Sequence, residues 1–228
     1  MDYDTWEPIY LEILADFGFD RAADERARDH LADLLETRYD PTNLDFERRT
    51  VAVAGAGPSL EADLALVRDA DVVVAASDAA RRLRQRDVTV DCMVTDLDKT
   101  PETARTLTAA GVPVAVHAHG DNVAALTEHV PTLDHAAVLP TTQAEPTAAV
   151  YNFGGFTDGD RAAFLADARG AARLTFPGWD FDDPDVSEVK ARKLAWAERL
   201  LLWLERRRGE RFAVLDGRRE SIDDSMLP

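Results

Sequence analysis

The sequence predicts an α/β fold: a Rossmann-like, mostly parallel sheet flanked by helices, with a helical N-terminal lead. Three observations predict it. From Thr50 onward, short Val- and Ala-rich runs alternate with segments of helical spacing, the pattern of strand–helix units whose strands are buried on both faces. Several of those runs end in acidic or polar clusters, and open parallel sheets collect ligands beyond the carboxyl ends of their strands. Before Thr50 the apolar residues recur at helical spacing instead. The 228 residues suffice for one sizeable core. They divide into residues 1–48, a helical segment packed on the main domain, and residues 49–228, the α/β domain.

In the lead, Trp6, Ile9, Tyr10, Ile13, Leu14 and Phe17 form an apolar stripe ended by Gly18, and Leu31, Leu34 and Leu35 mark a second helix closed by Asp40-Pro41. Val51 to Ala54 reads as a strand, followed by Gly55-Ala56-Gly57-Pro58-Ser59-Leu60 and a helical segment to Ala70. Glycines between strand and helix let the backbone approach a ligand, and a helix start offers amide donors to an anion. Gly55, Gly57, Pro58 and Ser59 are therefore candidate phosphate or nucleotide contacts. A tight turn is the alternative, because the third glycine of a dinucleotide fingerprint is missing and Pro58 intrudes. The next strand, Asp71 to Ala76, ends in Ser77-Asp78, where Asp78 suits metal or ribose contact and equally the capping of a helix from Ala79 to Arg86.

Cys92-Met93-Val94 reads as an interior strand delivering Asp96 and Asp98. Alternate residues of an extended chain point the same way, so both acids can face one ion. Adjacent unpaired carboxylates repel unless a divalent cation with oxygen preference, such as Mg²⁺, lies between them and a phosphate-bearing substrate. The competing reading is a solvated Asp-x-Asp loop in a chain with 29 Asp. A helix from Pro101 to Ala110 leads to the strand Val112 to Val116 and then to His117-Ala118-His119-Gly120-Asp121-Asn122, the densest polar cluster. His-x-His lacks an obvious third and fourth ligand for zinc. The cluster reads instead as residues that orient phosphate, base or metal-bound water, with Asp121 extending the carboxylate set.

Val138 to Pro140 and Ala148 to Tyr151 read as further strands, the second running into Asn152-Phe153-Gly154-Gly155-Phe156-Thr157-Asp158-Gly159-Asp160-Arg161. Thr157 with Asp160 three residues later predicts a helix start. The glycines among aromatics suit a planar heterocycle or a phosphate, and also a plain turn. Ala172 to Phe176 is a strand, Pro184 opens a long helix to Arg208, and Phe212 to Leu215 is a last strand.

A net charge of −17 with 23 Arg but 3 Lys resembles halophilic proteins. At about 1 M salt the Debye length falls to roughly 3 Å, which screens the self-repulsion of such a surface. The same charge argues against nucleic acid as a partner. The lone cysteine, Cys92, excludes a disulfide-stapled fold. Neither a signal peptide nor a spanning segment is evident, so a cytoplasmic, membrane-free location is expected. Self-association into a homo-oligomer is left open.

Taken together, Gly55 to Leu60, Thr95-Asp96-Leu97-Asp98, His117 to Asn122 and Asn152 to Arg161 resemble the characteristic blocks of the archaeal 6-hydroxymethyl-7,8-dihydropterin pyrophosphokinase family. The acids also resemble the signatures of thiamine pyrophosphokinases. Lys99 stands where relatives often carry Gly. The resemblance implies transfer of diphosphate from ATP to the hydroxymethyl group of a reduced pterin, with release of AMP. It implies Mg²⁺ held by Asp78, Asp96, Asp98 and Asp121, and nucleotide contacts from Gly55, Gly57, Pro58, Ser59, His119, Asn122 and Arg161. It further implies pterin contacts from Asn152, Phe153, Gly154, Gly155 and Asp158. The alternatives are a thiamine pyrophosphokinase, which generally carries a β-rich domain after the catalytic one, a nucleotide-sugar glycosyltransferase-like protein, and a non-enzymatic nucleotide-binding module.

Overall fold

The computed structural model describes residues 1–227. Six strands, β1 (Thr50–Ala54), β2 (Val72–Ala76), β3 (Cys92–Thr95), β4 (Val114–Ala118), β5 (Val138–Thr142) and β6 (Arg173–Thr175), form one sheet in the order β5-β4-β3-β2-β1-β6. Every neighbouring pair is parallel. Parallel strands need crossovers, and covering both faces explains why β2, Val-Val-Val-Ala-Ala, is buried throughout.

Eight α-helices supply that cover: α1 (Tyr3–Phe17), α2 (Arg21–Leu34), α3 (Leu64–Arg68), α4 (Asp78–Arg84), α5 (Pro101–Ala109), α6 (Val123–His129), α7 (Asp158–Ala168) and α8 (Glu188–Arg208). Val72 and Val74 of β2 point into a core shared with α1, α7 and α8, whereas Val73 and Ala75 point into a second core under α2 to α6. The lead thus straddles the sheet. Gly18, at φ 69°, ends α1 in the left-handed conformation that glycine adopts without cost, and the chain turns at once into α2, capped by Asp20. Trp6, Ile9, Tyr10 and Ile13 are fully buried on one face of the sheet, and Ala27 and Leu31 on the other. Each such large apolar side chain contributes about 1.5–3 kcal/mol by burial.

The structure corrects several expected boundaries. α2 ends at Leu34, and Asp40-Pro41 opens a separate 3₁₀ turn. The segment after Gly57 is a 3₁₀ turn, Pro58–Glu61, followed by α3 rather than one helix. β4 runs to Ala118, so His117 is a strand residue. Ala148 to Tyr151 makes a turn with one bridge to Thr141, and Phe212 to Leu215 is largely a 3₁₀ turn. α8 starts at Glu188, capped by Ser187, rather than at Pro184. No helix among the described residues is long and apolar enough to cross a membrane.

Candidate active site at the carboxyl ends of the strands

Strand order reverses between β1 and β6, and a cavity of about 460 Å³ opens at the carboxyl end of the sheet. That is where an open parallel sheet places its ligand. β3 delivers the acidic pair, though not by strand alternation. After Thr95 the chain turns: Leu97 N–H donates to Thr95 Oγ1 (3.0 Å) and Asp98 N–H to Asp96 Oδ1 (3.1 Å). Leu97 itself sits at φ 65°, with its side chain buried in the core. A left-handed conformation costs an L-residue roughly 1–2 kcal/mol. Here it anchors an apolar plug while Asp96 and Asp98 both line the cavity.

The two carboxyls are displaced in opposite directions. Burial acts to raise Asp96, but hydrogen bonds involving His119 and Asp98 and the Arg161 charge outweigh it and hold Asp96 well below the usual range. Asp98 is pushed up to about 6 by burial and then by Asp96 itself. Such a pair titrates as a unit. His119 Nε2 lies 3.4 Å from Asp96 Oδ2, while its Nδ1 accepts from Asp121 N–H at 3.3 Å, an arrangement that places the ring proton on Nε2.

The start of α7 forms the opposite wall. Thr157 and Asp160 make the expected capping box. Gly155, at φ 94°, lets the chain pass so close to Arg161 that an added Cβ would lie 2.6 Å from that residue's backbone. Arg161 is 7% exposed; its Nη1 donates to Asp158 Oδ1 (3.0 Å) and its Nη2 to Gln143 Oε1 (3.2 Å). Asp158 is pushed up to about 7 by burial, then by the charge of Asp96. Gln143 is fixed from behind: its Nε2 donates to Asp24 Oδ2 (2.7 Å), which also accepts from Tyr10 Oη (2.8 Å), while Asp24 Oδ1 accepts from Gly120 N–H (2.7 Å). The lead therefore reaches the cavity through Asp24.

Other expected residues have different work. Gly55 N–H donates to Pro177 O and Gly57 N–H to Gly178 O, both at 2.9 Å, and the Asp180 carboxylate takes Ser59 N–H and Oγ. A Cβ on Gly57 would lie 2.2 Å from Asp180 Oδ2. The glycine loop is thus built to clasp the loop after β6, and the amides of Gly55, Gly57 and Ser59 are spent there rather than offered to a phosphate. Gly55 and Gly57 still line the cavity; Pro58 and Ser59 do not. Asn122 bridges strand ends through Asp96 O, His117 O and His119 N–H, and Asn152 is used up by Gln143 O, Ala144 O and Gly154 N–H. Both therefore shape the site from outside. Phe153 and Gly154 line only a small recess behind it, with His117, and Gly155 lines neither.

Among the described residues no three His, Cys, Asp or Glu side chains form a ready metal cluster. Asp78, Asp96, Asp98 and Asp121 all line the one cavity, but Asp78 forks onto Arg81 (2.7 and 2.9 Å) and Asp121 sits exposed on the rim, so the four do not converge on a single point. Nor does Asp78 act as the helix cap; it is the first residue of α4, behind Ser77 at φ 48°. Trp179, whose Nε1 donates to Val53 O, together with Asp180, Gln143 and the lysines of α8, completes the lining without having been marked by any motif. The one available signal was Pro177-Gly178 directly after an apolar run.

A parallel α/β sheet with an acidic pair, a buried arginine and a ligand-sized cavity at its switch point has the architecture of a small-molecule-binding α/β protein. The chain belongs to the 6-hydroxymethylpterin diphosphokinase MptE-like family, whose model matches residues 25–186. It is 40% identical to the 6-hydroxymethyl-7,8-dihydropterin pyrophosphokinase of Methanothermobacter thermautotrophicus, over 90% of this chain and 96% of that protein. The proteins of the same name from Pyrococcus furiosus and Methanocaldococcus jannaschii are 37% and 31% identical, each over 90% of this chain and 95% and 96% of theirs.

Proposed function

We propose that this chain transfers the terminal diphosphate of ATP to the hydroxymethyl group of 6-hydroxymethyl-7,8-dihydropterin, releasing AMP. The observation that carries the reading is the meeting of Asp96, Asp98, Asp158 and Arg161 in one cavity of a chain from this family. In the reaction the acceptor oxygen bonds to the β-phosphorus, the bond from that phosphorus to the α,β-bridging oxygen breaks, and AMP departs with the electron pair. Asp158 presents Oδ2 to the acceptor, its Oδ1 being taken by Arg161. At that oxygen it orients the hydroxyl and holds its proton. Arg161, locked by Asp158 and Gln143, supplies fixed positive charge beside the transferred group.

Two carboxylates without a third protein ligand suit Mg²⁺, which is commonly held by one or two carboxylates plus substrate phosphates. Asp96 and Asp98 would hold it, and it would supply charge neutralisation at the phosphates. A pterin rather than thiamine as acceptor is favoured by the family, whose model and curated relatives carry the 6-hydroxymethylpterin name. The test is AMP release from Mg-ATP with 6-hydroxymethyl-7,8-dihydropterin, with thiamine and with no acceptor. Release dependent on the pterin is expected; equal release with thiamine, or none with the pterin, would refute the assignment.

A further inference from the structure

The chain has three lysines against 23 arginines, and all three, Lys99, Lys190 and Lys193, line the large cavity although only 31 of the 228 residues do. Among the described residues, every ion pair to Asp or Glu has an arginine or a histidine as its cation. Within that set the lysines are unpaired, in a protein carrying 43 acids. Lys99 follows Asp98 directly, and Lys190 and Lys193 lie one turn apart at the start of α8, neighbours on its surface. Lys193 Nζ stands 5.8 Å over the Phe156 ring, at the wall that also carries Asp158. Desolvation and then the charge of Lys99 hold the Lys190 ammonium below its ordinary value, against the attraction of Asp158 and with a smaller push from Lys193. An arriving anion would relieve that repulsion.

The donors first expected to take phosphate are meanwhile committed elsewhere, Gly55 and Gly57 to the loop after β6 and Ser59 to Asp180. Arg81 and Arg82 are tied to Asp78 and Glu61. We propose that Lys99, Lys190 and Lys193 form the polyphosphate subsite, which binds the triphosphate of the nucleotide donor along the α8 side of the cavity rather than at the glycine loop. The assignment rests on the diphosphate-transfer reading above. Ammonium groups on flexible stems suit it, since they act as mobile point charges able to follow a phosphate chain as it divides, where an arginine fork favours one fixed geometry.

The test is titration of ATP, AMP, inorganic tripolyphosphate and the reduced pterin into wild type and into Lys99→Met, Lys190→Met and Lys193→Met, at one ionic strength, with melting to verify folding. Lys→Gln replacements serve wherever a Met variant does not fold. Arg84→Met, on the exposed end of α4, controls for loss of one positive charge. Each lysine variant should weaken ATP and tripolyphosphate about 10-fold or more, as expected for a charged hydrogen bond. AMP should weaken less and the pterin by under about twofold, with Arg84→Met unchanged. Folded variants with wild-type tripolyphosphate affinity, a wild type that does not bind tripolyphosphate, or an equal effect of Arg84→Met would overturn the subsite. Pterin-dependent AMP release with lysine-independent ATP affinity sinks the subsite alone. Lysine-dependent polyphosphate binding without pterin-dependent AMP release sinks the activity alone.

Discussion

Replacing Asp24 by Asn tests whether the N-terminal lead positions the catalytic wall. Asp24 is 3% exposed and accepts from Tyr10 Oη, Gln143 Nε2 and Gly120 N–H. Asn supplies one acceptor oxygen, so either orientation is wrong somewhere. With the oxygen toward Tyr10 and Gln143, the new amide faces the half-buried Gly120 N–H. With the oxygen toward Gly120, Gln143 must turn its own amide over, and its NH₂ then confronts Arg161 Nη2. One charge-assisted hydrogen bond lost and one donor left unsatisfied together cost about 2–4 kcal/mol. For a chain of this size that is a fall in melting temperature of roughly 5–15 °C. Arg161 loses its brace in the second arrangement, so turnover should fall and the pterin KM rise, with ATP affinity less affected. The double variant Asp24→Asn with Gln143→Glu should recover both, because the new carboxylate accepts from the new amide and from Arg161 alike. Melting curves and steady-state AMP release measure this. A single variant melting within about 1 °C of wild type, or a double variant worse than the single, would show that the chain of contacts does not support Arg161.

Asp96→Asn and Asp98→Asn should each lower turnover at least about 100-fold and raise the Mg²⁺ needed for half-maximal rate, with the double variant little worse than the poorer single because the pair serves one ion. Thermal stability should hold or rise in Asp98→Asn but fall in Asp96→Asn, whose carboxylate is held ionised by its His119 contact and the Arg161 charge, and near-normal turnover in both singles would dismiss the pair. Raised carboxyl pKa values in the native state mean that protons are bound more tightly there than in the unfolded chain, whose Asp titrates near 3.8. Protonated Asp98 and Asp158 therefore stabilise the metal-free fold at low pH. That contribution is lost as pH rises from about 4 through about 6 and 7. Chemical denaturation in EDTA should show the decline, shallower in Asp158→Asn; an identical slope would remove Asp158 as its source. Last, the unfolding midpoint should rise steeply between about 0.1 and 2 M KCl, since screening relieves the excess negative charge more than it weakens exposed arginine pairs worth under about 1 kcal/mol each. A flat dependence would discard the halophilic reading.

The fold was legible because parallel strands buried on both faces must be almost wholly apolar, and Val72 to Ala76 or Cys92 to Val94 admit few other readings. Asp96 and Asp98 were legible by position alone, at the end of such a run. What turns them into the cavity was not, since Leu97 is an ordinary residue in an uncommon conformation that nothing nearby announces. Long-range partners were hidden for a related reason. Gly55-Ala56-Gly57 looks like an anion cradle until Pro177 and Gly178 arrive from a distant part of the chain and take both glycine amides, while Asp180 takes Ser59. Asn122 and Asn152 show the same confusion, since a buried amide that splints backbone and one that reads a ligand have the same letter in sequence. Asp24 and Gln143 carried no local pattern at all.

The position of β6 has a consequence for the birth of the protein. β1 lies between β2, whose Val72 pairs with Val51, and β6, whose Leu174 pairs with the same residue from far down the chain. During synthesis β1 to β5 can stack outward one after another, while the other side of β1 stays an open edge with the glycine-loop amides bare. Such an edge is a template for misplaced strands. The cavity floor closes only when β6 slots in, and the α8 lysines arrive after that. A nascent chain stopped short of Arg173 should be adhesive and unable to hold nucleotide, so that ligand capture reports a finished polypeptide.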